Sequence, residues 1–147
     1  MAASLSLRSR ALKLISRREY SRQEMRARIA PHAEDPAELE ALLDEFERNG
    51  YLSEKRLVDA LVHTRRSRFG AQRVLHELKE KGVSEDGLTR ASQTLAAGEL
   101  EAARQVWQKK FGRLPKNLSE RAKQSRFLSG RGFSPEVVRK VLDGRDD

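Results

Sequence analysis

The side chains of this sequence best placed to do chemistry are arginines, and that chemistry is recognition of anions. Arg65, Arg66, Arg68 and Arg73 bracket a Phe69-Gly70 pair. A guanidinium offers a planar fork of donors that fits phosphate and carboxylate oxygens alike, so the cluster suits a nucleic-acid backbone or an acidic protein surface. On a helix Arg65 and Arg68 share a side at i, i+3, while Arg73 opens the helix that follows. A second basic group comprises Arg8, Arg10, Lys13, Arg17 and Arg18, and a third Arg121, Lys123, Arg126 and Arg131. Aromatic residues make up 5% of the chain, too few for the usual base-stacking platform for single strands. Trp107 falls on an apolar helix face and is expected in the core.

Catalytic constellations are missing from the sequence. With no cysteine, disulfides, thiolate zinc sites and a cysteine nucleophile are excluded together. His32, His63 and His76 are scattered, with no carboxylate or histidine expected at an i+3 or i+4 spacing that would suggest a metal site. The acidic pairs Glu34-Asp35 and Asp44-Glu45 sit in a strongly acidic stretch and read as a solvated face, not a general acid and base. No phosphate-binding glycine loop, dinucleotide fingerprint or HExxH motif occurs. The expectation is a protein that is not an enzyme and needs neither cofactor nor metal.

Charge is distributed in bands. The 147 residues carry a net +8 with a pI near 10.2, which makes an acidic partner the first expectation. Net charge is +6 over residues 1–30, −6 over 31–62, +4 over 63–82, −3 over 83–102 and +7 over 103–147. Three basic blocks separated by two acidic ones suit a repeated unit laid along something long and charged. At 37% hydrophobic and 35% charged, the chain favours small bundles in series over one large core. No apolar run approaches the ~18 residues of a membrane span. The opening MAASLSLRSR lacks the apolar segment of a secretory signal, so a cytoplasmic protein is expected.

The elements that must position these cations are all helical, since apolar residues recur with helical spacing and nowhere alternate as in a strand. Leu7, Ala11, Leu14 and Ile15 share a face. Ser21 and Glu24 form a capping box ahead of Met25, Arg28 and Ile29. Pro36 starts a helix with Leu39, Leu42, Leu43 and Phe46 inside, and Ser53 caps one carrying Leu57, Leu61 and Val62. Val74, Leu75 and Leu78 line the next helix until Gly82 stops it. Ser84 caps a helix with Leu88 and Leu95, weakened at Gly87 by ~1 kcal/mol relative to alanine. Leu100, Ala103, Val106 and Trp107 form a further face ended by Phe111-Gly112. Asn117 or Ser119 caps a helix through Leu128, and Ser134-Pro135-Glu136 opens the last. The stop at Leu78, Gly82, Val83 and Ser84 is echoed by Leu128, Gly132, Phe133 and Ser134, and more loosely by Phe46, Gly50, Tyr51 and Ser53. This grammar predicts an all-α fold of about nine helices in tandem three-helix bundles, elongated and curved. The repeats are expected at 1–50, 51–97 and 98–147.

At these motifs the chain resembles the RecX family, regulators of the RecA recombinase, over roughly residues 8–145. The resemblance lies in Ala11-Leu12-x-Leu14-Ile15-x-Arg17-Arg18-x-Tyr20-Ser21-x-x-Glu24-Met25 and in Phe46-x-x-x-Gly50-Tyr51-Leu52-Ser53. It continues through Arg66-x-x-x-Gly70-x-x-Arg73-Val74-x-x-x-Leu78-x-x-Lys81-Gly82-Val83, and ends with Phe127-Leu128-x-x-Arg131-Gly132-Phe133. The chain departs from the family at His76, where many members carry another basic residue, and at Tyr20, commonly polar or histidine. The resemblance implies tandem three-helix repeats that bind in the groove of the RecA–DNA filament and damp its ATPase, strand-exchange and coprotease activities. It implies RecA with its single-stranded DNA as partner, weak non-specific DNA binding and a monomer. Pattern and resemblance together single out Arg17, Arg18, Arg65, Arg66, Arg68, Arg73, Lys81, Arg126 and Arg131 as contacts to RecA or DNA. A competing expectation, from the basic helix after the turn at Phe69-Gly70, is a helix-turn-helix-like DNA binder that acts without a recombinase.

Overall fold

A computed structural model describes residues 5–144; the first four residues of the N-terminal stretch MAASLSLRSR lie outside the described residues. The described chain is all helical, without strands. It runs α1 (Leu7–Ile15), α2 (Arg22–Ile29), a short 3-10 turn (Ala30–His32), α3 (Pro36–Arg48), α4 (Glu54–Arg65), α5 (Ala71–Glu80), α6 (Glu85–Lys110), α7 (Leu118–Gly130) and α8 (Pro135–Leu142). None of these helices is long and apolar enough to cross a membrane.

The described chain has eight α-helices where the sequence pattern suggests nine. The expected break between the Leu95 and Leu100 faces does not form, and α6 continues for 26 residues, ~39 Å at helical rise. The intervening Ala96-Ala97-Gly98-Glu99 explains this: it holds no proline and no capping residue, and two alanines offset one glycine. The first half of α6 closes one bundle and the second half opens the next.

Local signals set the remaining boundaries. Ser6, Ser21, Asp35, Ser53, Ser84, Asn117 and Ser134 each accept a backbone N–H at the start of a helix. Of the two candidates before α7, Asn117 is the cap. Helices α3, α5 and α7 end alike: the N–H of Tyr51, Val83 and Phe133 donates back to the carbonyl of Phe46, Leu78 and Leu128. Each of these stops needs a left-handed residue, which Gly50, Gly82 and Gly132 provide at φ +78°, +86° and +93°.

Three apolar clusters form the core. Leu7, Ala11, Met25, Ile29, Leu39, Leu43 and Phe46 belong to the first. Leu57, Val58, Val62, Val74, Leu78, Val83, Ala91 and Leu95 make the second, and Ala103, Val106, Leu128, Phe133, Val138, Val141 and Leu142 the third. The last two are built alike down to a polar detail. A carboxylate from the bundle's first helix accepts the N–H of the serine capping its third: Glu54 from Ser84 at 2.7 Å, and Glu99 from Ser134 at 3.0 Å. Trp107 packs against the third cluster, half-buried, and donates through Nε1 to buried Gln124 at 2.8 Å.

Candidate functional site

Neighbouring bundles meet by one scheme used twice. The loop leading into the second helix of a bundle packs on the glycine turn that ends the second helix of the next. At the first junction, the start of α2 meets the turn at Gly82. Gln23 Nε2 donates to the Glu80 carbonyl at 2.9 Å, and Lys81 Nζ meets Glu24 Oε2 at 2.8 Å. At the second junction, the start of α5 meets the turn at Gly132. The Gly70 N–H donates to the Arg131 carbonyl at 2.7 Å and the Gln72 N–H to the Gly132 carbonyl at 3.2 Å. Here backbone lies on backbone. A Cβ on Gly70 would stand 2.5 Å from the Gly132 carbonyl carbon, and one on Gly132 would stand 2.7 Å from the Arg73 nitrogen.

The charges at the two junctions differ. Glu24 and Arg73 occupy the same position, third residue of the incoming helix, and Lys81 and Arg131 both cap the helix of the receiving turn. The first pair is an ion pair of side chains about one-fifth exposed. Burial opposes the charge of Glu24, but hydrogen bonds from Lys81, the Ser21 N–H and Arg18 outweigh it and hold the carboxyl below its ordinary value. The second pair is two arginines. Arg73 and Arg131 place their guanidinium carbons 4.2 and 5.4 Å from the centre of the Phe69 ring, and Arg68 places its own at 5.6 Å. Arg131 also lies 5.1 Å from the Phe127 ring. Arg73 reaches the Gly130 carbonyl and Arg131 the Arg68 carbonyl. Among the described residues, no carboxylate pairs with any of the three. The Phe69 ring face offsets some of their mutual repulsion through cation–π attraction, leaving a compact, uncompensated positive site.

The remaining residues singled out from the sequence are dispersed. Arg65 makes a two-pronged ion pair with Glu77, 3.0 and 3.1 Å, which raises its pKa chiefly through that hydrogen bonding. Arg66 lies over Gly98 of α6, where a Cβ would collide with its guanidinium, and no described carboxylate pairs with it. Arg18 stacks 3.7 Å above the Tyr20 ring and pairs with Glu24, the same carboxylate that holds Lys81. Arg17 and Arg126 are exposed, on separate bundles. Thus Arg68, Arg73 and Arg131 come together, whereas Arg65, Arg18 and Lys81 are engaged within the molecule. His76 meets Glu80, at i+4, at 3.0 Å in an exposed surface pair. Among the described residues no group of three histidine or acidic side chains could hold a metal ion.

The repeated junction defines a class, an all-α protein assembled from successive three-helix units. Comparison with known proteins agrees. Residues 53–91 match the family model described as RecX, second three-helix domain, and residues 97–142 that of RecX, third three-helix domain. The chain is 50% identical to the regulatory protein RecX of Leptothrix cholodnii over 94% of this chain and 88% of that one. It is 46% identical to that of Ralstonia nicotianae over 97% and 89%. The chain belongs to the RecX family of regulatory proteins. The fold is shared with the crystal structure of RecX from Lactobacillus salivarius, at a TM-score of 0.83 and 15% identity over 95% of this chain and 94% of that one.

Proposed function

We propose that this protein binds in the groove of a RecA–single-stranded DNA filament and damps its ATPase, strand-exchange and coprotease activities, as a cytoplasmic monomer without catalysis of its own. The observation that carries the proposal is the gathering of Arg68, Arg73 and Arg131 on Phe69 with no described carboxylate beside them. Like charges gathered on one ring repel each other, and more so where solvent is partly excluded. An anionic partner relieves that repulsion, and three guanidinium groups at one junction match closely spaced phosphates or carboxylates. Arg17, Arg66 and Arg126 extend the positive surface on each bundle. Engaged residues such as Arg65, Arg18 and Lys81 support the bundles and contribute less to the partner.

The helix-turn-helix alternative requires the first turn of α5 to enter a major groove. That turn is covered by the Gly132 turn of the next bundle, with Gly70 and Gln72 hydrogen-bonded to it. The arrangement favours backbone contacts over base readout. The test is a titration of a cognate recombinase's ATPase on single-stranded DNA, at two salt concentrations. Substoichiometric inhibition that weakens steeply with salt is expected. An unchanged ATPase and filament length at molar excess would remove the proposal, and tight sequence-selective duplex binding without recombinase would favour the alternative.

A further inference from the structure

The acidic stretch after α2 neutralises one side of the first bundle and leaves the other bare. Arg22 pairs with Glu40, Asp44 and Glu47, Arg26 with Glu40, and Arg8 with Glu45. Arg18 pairs with Glu24. Four further cations on the same elements, Arg10, Lys13, Arg17 and Arg28, form no ion pair among the described residues. All four line one cleft between α1 and α2, of about 280 Å³, together with His32 from the 3-10 turn. Its floor includes Leu14 and Ile29, and no described carboxylate lines it. The corresponding cleft between α4 and α5 contains Glu77 and Glu80, with Arg65 closed onto Glu77. The first cleft also holds an orphan: Arg10 Nε is buried without a hydrogen-bond partner. A buried charged donor left unpaired is costly, and an anion seated beside the Arg10 guanidinium would offset part of that cost electrostatically.

We propose that the α1–α2 cleft is a phosphate-binding site, additional to the junction at Phe69 and testable without a recombinase. Three guanidinium groups, an ammonium and an imidazole supply more donors than the two oxygens of a carboxylate can use. A phosphate offers three or four oxygens and, when terminal, up to two negative charges. Arg28 and His32 approach from the side opposite Arg10, Lys13 and Arg17, so the group is held between the two helices. The phosphate could be supplied by a nucleic-acid strand or by a free nucleotide, since the donors recognise only the oxygens common to both.

The test is an NMR titration of the full-length ¹⁵N-labelled protein with sodium pyrophosphate, then with adenosine monophosphate and with a short oligothymidylate. Saturable shifts of α1 and α2 amides are expected, and an affinity at least ~10-fold weaker in the Arg17→Gln/Arg28→Gln variant, whose altered side chains are exposed. A second variant, Arg10→Met, is expected to lose the pyrophosphate-induced rise in Tm. Displacement of pyrophosphate by the oligonucleotide would support the site and identify a strand as the source. Binding of the mononucleotide alone would support it with a free nucleotide as the source. No saturable shift, wild-type affinity in Arg17→Gln/Arg28→Gln, or loss of binding in Arg68→Gln/Arg73→Gln with the cleft unaltered would overturn it.

Discussion

The two junctions between bundles share their geometry and differ in one position that changes what each can do. At the first, Glu24 meets Lys81 and the contact is closed by the molecule's own charges. At the second, Arg73 takes the place of the carboxylate and Arg131 that of the lysine, and both turn to the Phe69 ring. The first junction therefore acts as a structural joint. The second is held mainly by backbone contact between Gly70 and Gly132, which frees its side chains to face a partner. One repeated scaffold thus separates holding bundles together from recognising something outside.

The largest effects should come from the glycine turns, and they should be unequal. Gly132→Ala forces a left-handed alanine, ~1–2 kcal/mol, and drives its Cβ into Arg73 backbone, a further ~1–3 kcal/mol of overpacking. Gly82→Ala meets the Gln23 side chain, whose amide can swing aside at the loss of its bond to the Glu80 carbonyl, so ~1–2 kcal/mol for the left-handed alanine and ~1 kcal/mol for that bond are expected. Urea unfolding of both variants measures the difference; equal losses would show that the second junction does not depend on close backbone approach. Phe69→Leu ranks next. It removes three cation–ring contacts worth ~0.5–1 kcal/mol each at exposed sites, and a net loss of ~1–2 kcal/mol is expected by the same measurement.

Smaller effects separate the junctions by pH. The pKa of Glu24 is lowered by folding, so its contribution is fully present above the ordinary carboxylate value of 4.5 and is lost as pH falls through the lowered one. Amide protection factors at residues 81–83 should therefore fall below pH 4.5 more than those at residues 131–133, where the junction contains no carboxylate. Lys81→Ala should mimic this at neutral pH, costing ~1 kcal/mol, because Arg18 and the Ser21 N–H still hold Glu24. Smallest of all is the effect of Arg73→Glu on stability, within ~0.5 kcal/mol, since the new carboxylate faces Arg131 as Glu24 faces Lys81. A much larger destabilisation would show that the two positions are not equivalent.

Much of the fold is legible in the sequence because it is written in local chemistry. Ser21 with Glu24, Pro36, Ser53 and the glycines at 50, 82 and 132 act within four or five residues of themselves, and each boundary falls where its signal stands. The missed feature is a continuation: nothing between Leu95 and Leu100 stops a helix, yet a change of apolar face there looks like a boundary. Side-chain partnerships are less accessible. Arg65 finds Glu77 across a loop, and Lys81 finds Glu24 at a separation of 57 residues. Neither pairing has a local signature, so Arg65 and Lys81 look as free in sequence as Arg68 and Arg73. The grouping of Arg28 and His32 with Arg10 likewise depends on how α1 crosses α2. The helix starts, aligned residue by residue, carry one useful sign, the exchange of Glu24 for Arg73 at the same helical position.

The most direct measurement is the salt dependence of recombinase ATPase inhibition on single-stranded DNA, compared for the wild type, Arg68→Glu/Arg73→Glu and Lys81→Gln. The double variant should remain folded, inhibit at least ~10-fold less potently and show a salt slope shallower by ~1 for each phosphate it no longer binds, while Lys81→Gln inhibits as the wild type does. Wild-type inhibition by the double variant, or an equal weakening in Lys81→Gln, would contradict the assignment of recognition to the second junction.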